Sequence, residues 1–191
     1  MFFAIFILLG IITGYLCGGR LNNFKYVHIR MIYLPVVALI ISIIANKIDF
    51  YLLRHFVSYP LIIIFLFVNI KETKALLLAG AGLLSNFIVI TANNFYMPVG
   101  YKIEELRVYL NAYNMLINGE ITGYILASEH TKLYFLADIF YIPFLPKLGF
   151  FSIGDILLGI GGMLCVIAFM KKEPKGENSA IKNNEDDREI V

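Results

Sequence analysis

Apolar residues in this chain gather into long runs without a charged side chain, at 1–19, 31–46, 55–70 and 75–101, with short polar stretches between them. A run of about 20 such residues is long enough to cross roughly 30 Å of hydrocarbon as a helix. The pattern predicts an all-α membrane bundle of five transmembrane helices, at about 1–17, 31–45, 50–70, 75–91 and 152–170. Met1-Phe2-Phe3-Ala4 lacks the basic start of a secretory signal, so the first run is read as a retained span. Residues 1–170 form the membrane domain on this reading, and 171–191, rich in Asn, Glu and Asp, form a disordered tail.

The longest interruption, 95–150, does not read as a plain hydrophilic loop. Leu106, Tyr109, Leu110, Tyr113, Leu116 and Ile117 share one helical face, as in an amphipathic helix lying at the membrane interface. A second apolar piece, 133–145, carries Asp138 and Pro143 and is followed by Pro146. It is too short to span, so a re-entrant, interfacial or bundle-packed segment is expected.

Basic residues are unevenly shared among the short loops. Arg20, Lys25 and Arg30 follow the first span, Lys71 and Lys74 the third, and Lys171, Lys172 and Lys175 the fifth; the turn after the second holds Lys47. The positive-inside rule then puts the N-terminus outside, the tail in the cytoplasm and 95–150 on the outer face of a bacterial cytoplasmic membrane.

Composition adds to this picture and removes alternatives. Apolar residues make up 59% and charged residues 16%, where soluble domains carry about half and about a quarter. A net charge of +2 with no basic stripe gives no case for nucleic acid. Cys17 and Cys165 both fall in or beside apolar runs, which speaks against a disulfide framework. His28, His55 and His130 lack the spacing of a zinc site, and no phosphate loop or serine-nucleophile elbow is present. No metal and no cofactor are expected.

Several residues remain as candidates for function. Gly10, Gly14 and Gly18, four apart, suit close approach of another helix, from a partner membrane protein or a second copy of the chain. Arg54, near a span end, reads as an anchor that reaches the headgroups. Ser152 and Asp155 have the spacing of a helix capping box. The sharper reading pairs Asp155 with Asp138, since two carboxyls in a low-dielectric site can divide acid and base roles. Ser152-Ile153-Gly154-Asp155 is partly similar to the Gly-x-Gly-Asp of intramembrane aspartyl proteases, with Ser152 where that motif has its first glycine. Asn93 and Asn94 either cap the fourth span or line an outward polar pocket, and Asn93, Asn94, Thr131 and Ser152 are the expected neighbours of Asp138.

The order of landmarks resembles that of a bacterial membrane-protein family known only as a domain of unknown function. The resemblance rests on Gly18-Gly19-Arg20, Ala92-Asn93-Asn94 with Met97-Pro98-Val99, Leu136-Ala137-Asp138 with Pro143, and Ser152-Ile153-Gly154-Asp155. It implies a bacterial cytoplasmic membrane and brings no activity with it. Phe95 stands where that pattern has a glycine, so a glycine-type backbone is not expected there. The function expected is non-enzymatic, through partner helices or an outward ligand pocket near Asn93, Asn94, Asp138 and Asp155. The alternatives are an aspartyl hydrolase using Asp138 and Asp155, or a transporter subunit.

Overall fold

A computed structural model describes residues 2–48, 50–100, 110–142, 144–145 and 148–173. The chain is mostly helical there: α1 (Phe2–Leu16), a 3₁₀ segment (Leu21–Tyr26), α2 (Tyr33–Lys47), α3 (Tyr51–Leu53), a π turn (Arg54–Ser58), α4 (Tyr59–Asn69), α5 (Ala75–Ala92), α6 (Leu110–Ile117) and α7 (Ile153–Met170). Among the described residues, α5 and α7 are long and apolar enough to cross a membrane unaided, fewer than the five helices expected.

The shorter helices have identifiable stops. Gly18 takes the left-handed conformation (φ 79°) just after α1, with Gly18 N–H donating to Tyr15 O and Gly19 N–H to Gly14 O. That is the double bond of a Schellman cap, which needs a residue free of a Cβ at this φ. In the first turn of α4, Pro60 has no N–H, and its ring crowds the carbonyl one turn back. The π turn sits at this place, with Tyr59 N–H bonding Arg54 O, so the register widens instead of breaking.

Helix contacts run in a row, α1 on α7, α7 on α5, α5 on α4, and α4 on α2. Glycine permits the closest of them. A side chain at Gly82 would strike Gly154 O, and one at Gly161 would strike the Ala79 backbone, so α5 and α7 touch main chain to main chain. Gly10 and Gly14 face Met163, Val166 and Met170 of α7 in the same chain. The glycine face expected to meet a partner is thus met internally, and Gly18 serves as the cap.

Two short strands occupy the segment after α5, where no sheet was expected. β1 (Met97–Val99) pairs in parallel with β2 (Tyr124–Leu126), and Asp138 joins the other edge of β1 beside Val99. Val99 and Leu116 form a small core with Tyr113, Tyr124 and Phe150. On α6 Tyr113 and Leu116 turn inward, while Ile117, of the same expected apolar face, is 56% exposed. Leu106 and Tyr109 lie outside the described residues, as do Pro143, Pro146 and the tail from 174. The described residues of 133–145 form no α-helix: a 3₁₀ turn at Tyr134–Leu136 gives way to extended chain, and Ala137 and Asp138 are buried.

Candidate functional site

Where α5 ends, α7 begins and the π turn approaches lies a polar, partly open cavity of about 150 Å³, lined in part by Arg54, Tyr59, Asn86, Tyr124, Asp138 and Asp155. Each side chain is delivered by a different element. Asp138 is fixed through its backbone, with its N–H donating 3.0 Å to Pro98 O and its carbonyl accepting 2.8 Å from Gly100 N–H. Asp155 is fixed by the start of α7.

That start is the capping box the spacing predicts. Asp155 N–H donates 3.0 Å to Ser152 Oγ, and Ser152 N–H donates 3.1 Å to Asp155 Oδ2. The cap does not stand alone. Asn86 Nδ2 donates 2.8 Å to Asp155 Oδ1, and Ser152 Oγ donates 2.9 Å to Asn86 Oδ1, closing a ring of three side chains. Gly154 makes room for it, since a Cβ there would collide with Asn86 Oδ1. Ser152 is fully buried, so Ser152→Ala removes both the cap and the hydroxyl proton donated to Asn86 Oδ1. It should lower stability by about 1–2 kcal/mol, read as a fall in Tm in detergent. A shift within error would dismiss the ring as a stabilising unit.

Asp138 is the exception within this network. It is 6% exposed and its Oδ1 has no hydrogen-bond partner. Burial first, and then the neighbouring Asp155 with which it shares a side-chain hydrogen bond, raise its pKa well above the usual carboxylate range. The folded protein therefore holds a proton on Asp138 more firmly than an ordinary carboxyl would. Tyr124 is pushed up as well, by burial and then by Asp138. Arg54 also lines the cavity, and its guanidinium donates one long hydrogen bond, 3.5 Å, to Asn46 Oδ1 among the described residues. Among the described residues no carboxylate pairs with it.

The other expected neighbours of Asp138 lie elsewhere. Asn93 spans to the next loop: its Nδ2 donates 2.8 Å to Lys132 O and its Oδ1 accepts 2.9 Å from Lys132 N–H. Thr131 Oγ1 accepts from Ser128 N–H at 2.8 Å. Asn93, Asn94 and Thr131 line a separate groove of about 200 Å³ with His130 and Lys132. The six candidates therefore divide, with Asp138 and Asp155 in one cavity, Ser152 behind it, and the other three outside.

The turn between the two sites corrects a further expectation. Asn94 and Phe95 are both left-handed, at φ 57° and 68°. The glycine-type backbone is present without the glycine, and the Phe95 ring packs against Phe56 and His55 at 5.0 and 5.2 Å between centroids. Ring packing offsets a conformation that costs on the order of 1–3 kcal/mol in a residue with a side chain.

Asn86, Tyr59, Tyr124 and the cavity role of Arg54 were not anticipated. Asn86 carried a usable signal: a lone amide in the apolar run at 75–91, where an unpaired polar group is costly. The tyrosines carried none, since their meeting depends on the sheet. Among the described residues there is no group of three or more His, Cys, Asp and Glu placed to hold a metal.

No curated protein and no solved structure matches the chain. A family match extends over residues 23–167, which takes in both aspartates and the Met97-Pro98-Val99 strand and starts after Gly18-Gly19-Arg20. It is to a family of unknown function, DUF5317, and the chain belongs to that family.

Proposed function

We propose that this is a five-span bacterial membrane protein that binds a small polar molecule in an outward-facing cavity, without chemical turnover. The observation that carries the reading is Asp138, a carboxyl 94% removed from solvent, with an oxygen that no protein group satisfies, in a cavity it shares with Asp155 and Arg54. Burying such a group without a partner costs a few kcal/mol. Stability alone gives no reason to keep it, while a site for a hydrogen-bonding ligand does.

Exposed apolar side chains support the membrane setting. Leu8, Leu16, Leu39, Phe56 and Phe67 are each more than half exposed, on the three helices shorter than the usual span as well as their neighbours. Soluble proteins seldom leave such surface to water. A 15-residue helix such as α1 or α2 covers about 22 Å, and a bilayer accommodates a short span by thinning locally. The basic loops also meet at one end of the bundle. Arg20 N–H and Asn23 Nδ2 bond Met170 O, Asn69 bonds the Arg30 backbone in both directions, and Lys172 pairs with Glu72. The cavity lies at the opposite end, which the positive-inside rule assigns to the outside.

A cysteine introduced at Asn111 or Tyr124 is therefore expected to react with a small membrane-impermeant thiol reagent on intact cells, and one at Asn178 to react after lysis. The reverse pattern would refute the orientation, and an inert cysteine at Tyr124 would refute an open cavity. The shared hydrogen bond of Asp138 and Asp155 favours a second reading, an aspartyl hydrolase. Against it, both Asp155 oxygens already accept from Asn86 and Ser152.

A further inference from the structure

We infer that the molecule bound in this cavity is a small zwitterion, bearing a cationic nitrogen and a carboxylate, in the size class of the smallest α-amino acids. The inference rests on the ligand-site reading above and names its chemistry. Two unsatisfied groups of opposite preference line the cavity. Asp138 offers a bare oxygen, nine-tenths buried, beside the carboxyl of Asp155. Arg54 offers a guanidinium that no carboxylate engages among the described residues, with a 3.5 Å contact to Asn46.

Each group asks for a different partner. A pair of neighbouring carboxyls attracts an ammonium, which can donate to both at once. A guanidinium has donors spaced to meet a carboxylate in parallel. Arg54 comes from the π turn and Asp138 from the edge of β1, so the two sit on separate elements with the cavity between them. A purely cationic ligand leaves Arg54 unanswered and adds like charge beside it. A purely anionic one leaves the bare Asp138 oxygen without a donor and adds like charge beside Asp155. A molecule with both ends answers both.

Size narrows the class further. A volume of about 150 Å³, at about 30 Å³ for each water-sized group, admits about five such groups, close to glycine and slightly less than alanine. Ile90 and Met97 supply an apolar wall, which suits a hydrogen or methyl side chain.

The test uses full-length protein in lipid nanodiscs, with glycine, methylamine and acetate as titrants followed by calorimetry. Glycine is expected to bind one to one, at least tenfold more tightly than either half-molecule, and Asp138→Asn and Arg54→Gln are each expected to weaken it by tenfold or more, the scale of one lost charged hydrogen bond. A parallel measurement leaves those residues intact: glycine should slow thiol labelling of Tyr124→Cys, while methylamine and acetate should not. Equal binding of methylamine and glycine, binding untouched by both variants, or no glycine binding with no protection would each overturn the zwitterion. A cysteine at Tyr124 that reacts but is not protected removes the zwitterion alone, whereas an inert cysteine removes the cavity reading beneath it.

Discussion

Gly82→Val should prevent α5 and α7 from assembling, with no cooperative unfolding transition left in detergent. At Gly82 a side chain would meet Gly154 O and the Leu158 backbone, with Leu157 Cβ 3.1 Å away. None of these is the free end of a side chain that could turn aside. Overpacking a close contact costs about 1–3 kcal/mol and more when the backbone must move, and here it is two whole helices that must part. In lipid, close approach of small residues is itself much of what holds helices together. Gly80, two residues earlier, meets only Leu66 Cδ1 at 3.8 Å. Gly80→Ala should leave the protein folded and gain up to about 1 kcal/mol from helix propensity. Equal behaviour of the two variants would mean that the α5–α7 contact is not made through glycine. Because Asn86 sits on α5 and Asp155 on α7, loss of this contact also takes the cavity apart.

Asp138→Asn should make the protein more stable than the wild type at alkaline pH and leave it close to the wild type in acid. The Asp138 pKa is raised in the folded protein, by burial and then by Asp155, while in the unfolded chain it is that of an ordinary carboxyl, about 3.9. The folded state therefore holds the proton more tightly. Its contribution to stability is complete below the unfolded pKa and is lost as pH rises through the raised folded-state value. Between the two values each pH unit removes up to about 1.4 kcal/mol, and above the raised one nothing further is lost. Asparagine cannot ionise, and its amide can still donate to Asp155 as the protonated carboxyl does. Thermal unfolding in nanodiscs across pH 5 to 9, roughly the working range of most proteins, would show the curves of variant and wild type diverging upward in pH. Parallel curves, or a variant that loses ground as pH rises, would contradict a proton held on Asp138.

Features set by near neighbours in the chain were legible beforehand. The capping box needs only a hydroxyl and an acid three residues apart at the start of an apolar run, and Ser152 and Asp155 meet that condition in the sequence and in space. The helical character of the apolar runs was legible for the same reason, since a helix closes its backbone hydrogen bonds within itself. Helix ends were less so. Gly18 reads equally as part of a glycine face or as a left-handed stop, and the choice depends on whether the chain must turn toward Met170. Phe95 shows the converse, a left-handed residue with no local preference for it, held there by rings from another helix.

The cavity was decided by tertiary structure. Asp138 and Asp155 were suspected of meeting, but the sequence offered Asn93, Asn94 and Thr131 as equally good companions for Asp138. What separates them is the pairing of β1 with the chain at Asp138, which turns this carboxyl toward α7 while Asn93 closes on Lys132. Arg54 looked like a headgroup anchor by position along its span, and the π turn before Pro60 instead puts it on the cavity wall. Local patterning determines which segments become helices and how some of them are capped, because those bonds close within a few residues. Which charged groups share a low-dielectric space is set by strands and helices far apart in the chain, and that requires the packed fold.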